Sequence, residues 1–258
     1  MTIEPNTSQE ARRRIRSGEW TDPTAGLAPG FVQANLAVVA EDLADDFERF
    51  CQLNPGPLPL LERTEVGSPI PVKLAPAADL RTDLPRYRLY RDGTLVEEPT
   101  DIVTLWRSDL VAFLIGCSFT FDAVLREAGV PVRHLRPGGN VSMYKTNRMT
   151  NPAGPFAGPL VVSMRPIRRE DVDRVIELTA SLPIAHGGPL HVGTPDLLGI
   201  ADLSAPDYGN PASVGEGEVP VFWACGVTSQ AAAEHGGIPR MITHAPGHMF
   251  ITDLQVTR

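Results

Sequence analysis

The sequence predicts an α/β fold, in a form open to mixed α+β, on three observations. The chain has 258 residues, 42% hydrophobic and 21% charged, the balance of a globular protein with its own core. Its 25 prolines and 23 glycines impose many turns and exclude a helical bundle. Short strand-like runs also alternate with helical ones along much of its length.

Taken in order, "TSQEARRRIR" (Thr7–Arg16) predicts a short capped helix with a solvated arginine face. The stretch Phe31–Asn54 sets Leu36, Val39, Leu43, Phe47 and Phe50 at helical spacing and predicts one long helix. The Pro-rich run Asn54–Pro85 predicts extended chain over the surface. "RYRLYRDGTLVEEP" (Arg86–Pro99) carries the Asp-Gly signal of a hairpin. "VPVRHLR", "VSMYKT", "PLVVSMRPI" and "PLHVG" read as strands and "REDVDRVIELTASL" as a helix, giving a compact β-rich stretch over 131–210.

"FLIGCSFTFDAVLREAGVP" (Phe113–Pro131) aligns without gaps on "VFWACGVTSQAAAEHGGIP" (Val221–Pro239). The match pairs Cys117 with Cys225, Thr120 with Thr228, Ala123 with Ala231, Gly129 with Gly237 and Pro131 with Pro239. An echo follows each copy: "RHLRPGGNVSMY" and "THAPGHMF" both run His, Pro-Gly, Met, aromatic. The expectation is an internal duplication, with a main domain of residues 1–130 plus 211–258 and a smaller α+β lobe, 131–210, inserted between the copies. Each copy reads as a strand, a small-residue turn and a helix closed by glycine. Such turns aim backbone N–H groups and a helix dipole forward, and two of them face to face would suit a dicarboxylate.

The net charge of −8, with one short basic cluster, excludes nucleic acid as the expected partner. The start has no apolar leader, and the longest apolar run, "VAFLIGC", is too short for a bilayer, so a cytoplasmic protein without a membrane partner is expected. Cys51, Cys117 and Cys225 are too scattered for a disulfide framework or a cysteine zinc site. No G-x-S-x-G, Walker, G-x-G-x-x-G or H-E-x-x-H motif is present, so no cofactor is expected. A homo-oligomer is left open.

The candidate chemistry lies in two stretches. In "MITHAPGHMFITDL" (Met241–Leu254), Pro246 and Gly247 between His244 and His248 forbid the helix on which a zinc H-x-x-x-H pair depends. "APGH" instead fits a type II turn between two strands. Three readings stay open there: a metal with Asp253 as third ligand, a structural corner, or acid–base work by His248 and His244, imidazole being poised near neutral pH. The stretch Gly138–Pro166 sets Tyr144, Lys145, Asn147, Arg148 and Arg165 among small residues, a donor-rich setting for an anionic small molecule. Ser118 and Thr228, in the two turns, join Arg165, Lys145, Tyr144 and Asn147 as substrate-binding candidates. Cys117 and Cys225 at helix starts are either thiolates of lowered pKa, hence catalytic candidates, or small buried hydrophobes. No metal site is assigned. Asp196, Asp202 and Asp207 match no calcium loop and read as turn and capping residues.

"GVPVRHLRPGGNVSMYKTN", "GPLVVSMRPI", "VFWACGVTSQAA" and "ITHAPGHMFITDL", with "DPTAGLAPGFVQANL" near the start, resemble one family over nearly the whole chain. It is the group of conserved bacterial hydro-lyases related to the front part of mitochondrial D-glutamate cyclase. The resemblance implies an α/β protein with an inserted smaller domain, and a lyase that closes D-glutamate to 5-oxo-D-proline with loss of water. The resemblance further implies a single module in the bacterial members and a second one in the mitochondrial enzyme. Cyclisation needs a deprotonated amine, an activated γ-carboxyl and a stabilised oxyanion. His244 or His248 is the candidate base and acid, Arg165 and Lys145 the carboxylate grips, and the N–H groups after Cys117 and Cys225 the oxyanion donors. The alternatives are dehydration of a hydroxy diacid, with or without a metal, and a non-catalytic binder or sensor of small acids.

Overall fold

The computed structural model describes residues 5–136 and 138–256 as a mixed α/β fold with two sheets. In chain order the elements are α1 (Ser8–Arg16), β1 (Phe31–Ala40), α2 (Glu41–Leu53), β2 (Leu60–Arg63), β3 (Tyr87–Arg91), β4 (Thr94–Glu97), β5 (Leu110–Gly116) and α3 (Phe119–Glu127). There follow β6 (Ser142–Met149), β7 (Pro159–Arg168), α4 (Val172–Ala180), β8 (His191–Val192), β9 (Glu218–Ala224), α5 (Thr228–His235), β10 (Arg240–His244) and β11 (Phe250–Gln255). The larger sheet runs β2-β5-β1-β10-β3-β4, with β11 also on β1, and the smaller runs β6-β7-β9-β8. Every strand pair described is antiparallel, which places the fold at the α+β end of the expectation.

The long helix expected over Phe31–Asn54 is instead strand β1 followed directly by α2. Leu36 and Val39, taken as one helical stripe, lie in different cores. Ala37 and Val39 pack with Phe47 and Phe50 of α2 and with Phe113. Ala34, Leu36 and Val38 face Leu89, Leu114 and Phe250 on the other side. A strand buried on both faces is apolar throughout, so its period cannot be told from a helix by hydropathy.

The Pro-rich run Asn54–Pro85 is not surface chain. It contains β2, and its Leu74, Ala75, Ala78, Leu80 and Leu84 complete the second core. "VPVRHLR" forms no strand, whereas the other three strand readings correspond to β6, β7 and β8, and α4 lies within the expected helix. The Asp92-Gly93 hairpin joins β3 to β4 with φ of 48° and 73°, the positive pair of a type I′ turn.

Helix α1 is capped as expected, Thr7 Oγ1 accepting from the Glu10 amide at 3.2 Å. Its arginines are not all solvated: buried Arg12 donates to the Ile251 carbonyl and pairs with Asp253 at 2.8 Å. That pair ties α1 to β11 and occupies the carboxylate considered as a metal ligand.

Both matched segments form a strand, a tight turn and a helix, β5–α3 and β9–α5. Strand β5 lies between β2 and β1, and β9 between β8 and β7. The smaller sheet takes three strands from 131–210 and β9 from beyond that stretch.

Candidate functional site

Strands β10 and β11 both pair with β1, end to end along the same edge, and the chain between them leaves that edge. Ala37 faces Thr243 and Ala34 faces Phe250, so a three-residue step on β1 meets a seven-residue step opposite. The excess is the Ala245–His248 corner. It is the type II turn the sequence predicts: Gly247 has φ 87°, and the His248 amide donates to the Ala245 carbonyl at 2.9 Å. Excursions of this kind re-aim side chains next to sites.

His248 is half-buried at the corner, and its Nδ1 lies 3.2 Å from the Pro246 carbonyl. A carbonyl only accepts, so Nδ1 carries the proton and Nε2 keeps a lone pair. Burial holds the imidazole below its usual pKa, which keeps it neutral near pH 7. His244, the last residue of β10, is fully buried, with Nδ1 on the backbone of Leu36 and Nε2 without a partner. Burial lowers its pKa to about 3.

A cavity of about 310 Å³ opens beside the corner, lined by Arg86, Arg88, Glu98, Asp207, Tyr208 and His248 among others. Arg86 is fixed by the corner itself, its carbonyl accepting from the Ala245 amide at 2.9 Å. Arg88 on β3 donates to Glu98 at 2.7 Å, and its guanidinium lies 5.7 Å over the Tyr208 ring. Lys145 of β6 approaches the same ring at 5.5 Å while pairing with Glu234 at 2.8 Å. The Tyr208 hydroxyl is buried and has no hydrogen-bond partner. One cavity edge thus combines two arginines, a neutral imidazole and an unpaired phenol.

A second cavity, of about 150 Å³, is lined by Arg133, His134, Arg136, Asn140, Arg165 and Asn210 with neighbouring residues. Behind it Asp122 of α3 accepts from Arg165 and from His134 Nε2, each at 2.7 Å. Burial alone would raise the Asp122 pKa, but the Arg165 and His134 charges outweigh it and hold it at about 2. Ser118 and Ser163 hydroxyls accept further Arg165 N–H groups, and the rings of Phe121 and Trp223 lie 4.6 and 5.4 Å from its guanidinium.

The sequence candidates therefore divide. His248 lines the larger cavity, and His244 and Lys145 lie close to groups on its wall. Arg165 lines the smaller one with most of its donors committed, and Ser118 only braces it. Cys117 and Cys225 meet in one buried cluster with Val141, Met143 and Met249. Burial pushes the Cys225 thiol up to about 11 and Cys117 higher still, so the lowered-pKa thiolate reading is corrected: helix starts do not offset that desolvation. Thr228 Oγ1 accepts the Val161 amide at 3.0 Å, and the buried Tyr144 hydroxyl donates to the Leu203 carbonyl at 2.7 Å. Asn147 is exposed on β6. None of Thr228, Tyr144 and Asn147 lines either cavity.

Sequence reasoning missed Arg86, Arg88, Tyr208, Asp122 and His134. Only His134 had left a signal, as the histidine of the echo "RHLRPGGNVSMY". Among the described residues no three His, Cys, Asp or Glu side chains gather where a metal could be held, and no helix is long and apolar enough to cross a membrane.

Fold and cavities together define a two-sheet α+β protein with two cation-lined cavities, one of them at the Ala245–His248 corner. The chain belongs to the D-glutamate cyclase family, whose sequence signature matches residues 111–253. A relative from Rubrobacter xylanophilus is 61% identical over 95% of this chain and 94% of its own. Relatives from Geobacillus kaustophilus and Bordetella pertussis are each 56% identical, over 97% and 96% of this chain and 95% and 90% of theirs. All three carry the name "Putative hydro-lyase", and with the family they support a lyase role. A nitrogen repressor-like protein from Methanococcus jannaschii matches at TM-score 0.39 and 11% identity over 92% of each chain.

Proposed function

We propose that this chain is a lyase of small carboxylic acids whose reaction takes place in the cavity at the Ala245–His248 corner. The observation that carries this reading is the meeting, on the wall of one cavity, of the unpaired buried Tyr208 Oη with a neutral His248 and two arginines. Buried polar groups without partners cost free energy unless something supplies the missing bond, and a bound acid would do so.

With D-glutamate as substrate the steps follow from these groups. Arg86 and Arg88 grip the carboxylates, and Tyr208 donates to the γ-carboxyl oxygen. His248 Nε2 takes a proton from the substrate ammonium, and the freed amine attacks the γ-carbon, forming the C–N bond. The attached nitrogen passes one of its two protons to a former carboxylate oxygen, and as the C–O bond breaks that hydroxyl takes the proton returned by His248, so 5-oxo-D-proline and one water leave. Lys145 acts at one remove, through the Tyr208 ring and Glu234.

The test is incubation of the purified protein with D-glutamate and with 2-hydroxy diacids, product being followed by mass. Turnover should fall by a factor of about 10² to 10⁴ in His248→Asn, the usual range for a lost acid–base group, with the melting temperature little changed. Equal turnover by His248→Asn would remove His248 from the mechanism. Thermal stabilisation by these acids without product would instead mark a binder or sensor.

A further inference from the structure

We infer that the 150 Å³ cavity is a second small-acid site, and that its occupant acts on His248 through Asn140. The inference does not depend on which reaction the corner performs.

In a chain of net charge −8, the described lining of this cavity includes Arg133, His134, Arg136 and Arg165 and not one carboxylate. Arg165 is neutralised by Asp122 behind the wall, and Arg133 pairs with Glu218. Arg136 is exposed and pairs with no carboxylate among the described residues, so its guanidinium is available for an incoming one. A planar fork of N–H donors is the usual partner for such a group.

Asn140 supplies the second half. Its Nδ2 donates to the Pro246 carbonyl at 2.9 Å, while its Oδ1 is buried with no partner. The missing partner is a donor, which selects acids that carry a hydroxyl or ammonium over plain ones. The volume equals that of about five waters, enough for a four-carbon acid of this kind.

The Pro246 carbonyl is also the acceptor for His248 Nδ1. Gly247 lies against the Asn140 amide with no room for a Cβ, so Asn140 and the corner are packed as one unit. A ligand hydroxyl drawn to Asn140 Oδ1 changes how that carbonyl is shared, and thereby the environment of the His248 ring in the neighbouring cavity.

The experiment is NMR titration of the full chain with malate, succinate and inorganic phosphate as probes, reading the amides of Asn140 and Asn210 and the ring signals of His248. Malate should shift the cavity amides and the His248 ring together, and succinate, lacking the hydroxyl, should bind more weakly. Phosphate binding tighter than malate would replace the donor-bearing acid by a simple oxyanion and overturn the ligand class. Arg136→Gln, an exposed change, should weaken malate at least tenfold, while Arg86→Gln should leave the Asn140 and Asn210 response intact. In Asn140→Ala, saturating malate should no longer move the His248 ring. Absence of malate binding, binding indifferent to Arg136→Gln, or a wild-type His248 ring unmoved at saturation would each overturn the inference.

Discussion

Asp122 and Gln230 hold the same place in the two matched segments, near the start of α3 and of α5, and they treat the neighbouring histidine differently. In the first segment the carboxylate pairs with buried Arg165 and accepts a hydrogen bond from His134. In the second, the neutral amide of Gln230 donates to the His244 backbone carbonyl at 2.9 Å and accepts from the Tyr90 hydroxyl at 3.1 Å. His244 Nε2 is left unpaired. Two strand–turn–helix segments thus give one imidazole bonded to a carboxylate and one kept neutral by burial. The carboxylate at this position accompanies a buried ion pair with Arg165, and the amide at its counterpart accompanies an imidazole with an unpaired nitrogen.

The comparison is broken most severely by removing one charge from the first segment. Arg165→Met should cost about 3–5 kcal/mol in urea unfolding, because it strands Asp122 in the interior. Adding Asp122→Asn should recover part of that loss, and a double variant no better than the single would show that packing, not charge, is what Arg165 supplies.

The second segment is tested by pH. His244 and His186 titrate at about 3 and about 4 when folded, pushed down mainly by burial, against 6.5 when unfolded. The unfolded chain binds those protons first, so stability is full above pH 6.5 and falls as the pH drops below it. The slope reaches at most about 1.4 kcal/mol per pH unit for each histidine. His244→Gln should flatten the fall between pH 6 and 4, and an unchanged slope would show that His244 does not titrate as buried.

Smaller effects sharpen the corner and the buried turns. Gly247→Ala should cost about 1–3 kcal/mol, since φ 87° disfavours a side chain and the Asn140 amide fills the space. Its melting temperature gives the check, and a neutral result would mean that the corner relaxes freely. Cys117→Ala and Cys225→Ala should each cost about 1 kcal/mol and leave turnover within about twofold, because a thiol held protonated offers no nucleophile. Loss of turnover in either would return the thiols to the mechanism.

Much of the larger sheet was legible for a local reason. The Asp92-Gly93 turn and the Pro-Gly corner were readable because positive φ at glycine and fixed φ at proline are written in the residues themselves. Strand β1 was misread because burial on both faces erases the period-two signal. The Pro-rich run was misread because its leucines meet their core only across the chain. The Arg86–Arg88–Tyr208 cavity could not be read at all, since it is assembled from segments more than a hundred residues apart.

By itself, then, the sequence determined the turns, the family and the histidine corner, each a matter of contiguous residues. It also foretold that His244 and His248 would share one bend, because Pro246 and Gly247 allow little else. Only the tertiary structure decided that Arg165 is bound into an ion pair with Asp122 and that the thiols are buried and protonated. Only it set His248 beside Arg88 and Tyr208. Those outcomes depend on desolvation and on long-range pairing, which arise when distant segments exclude water together and have no counterpart in local spacing.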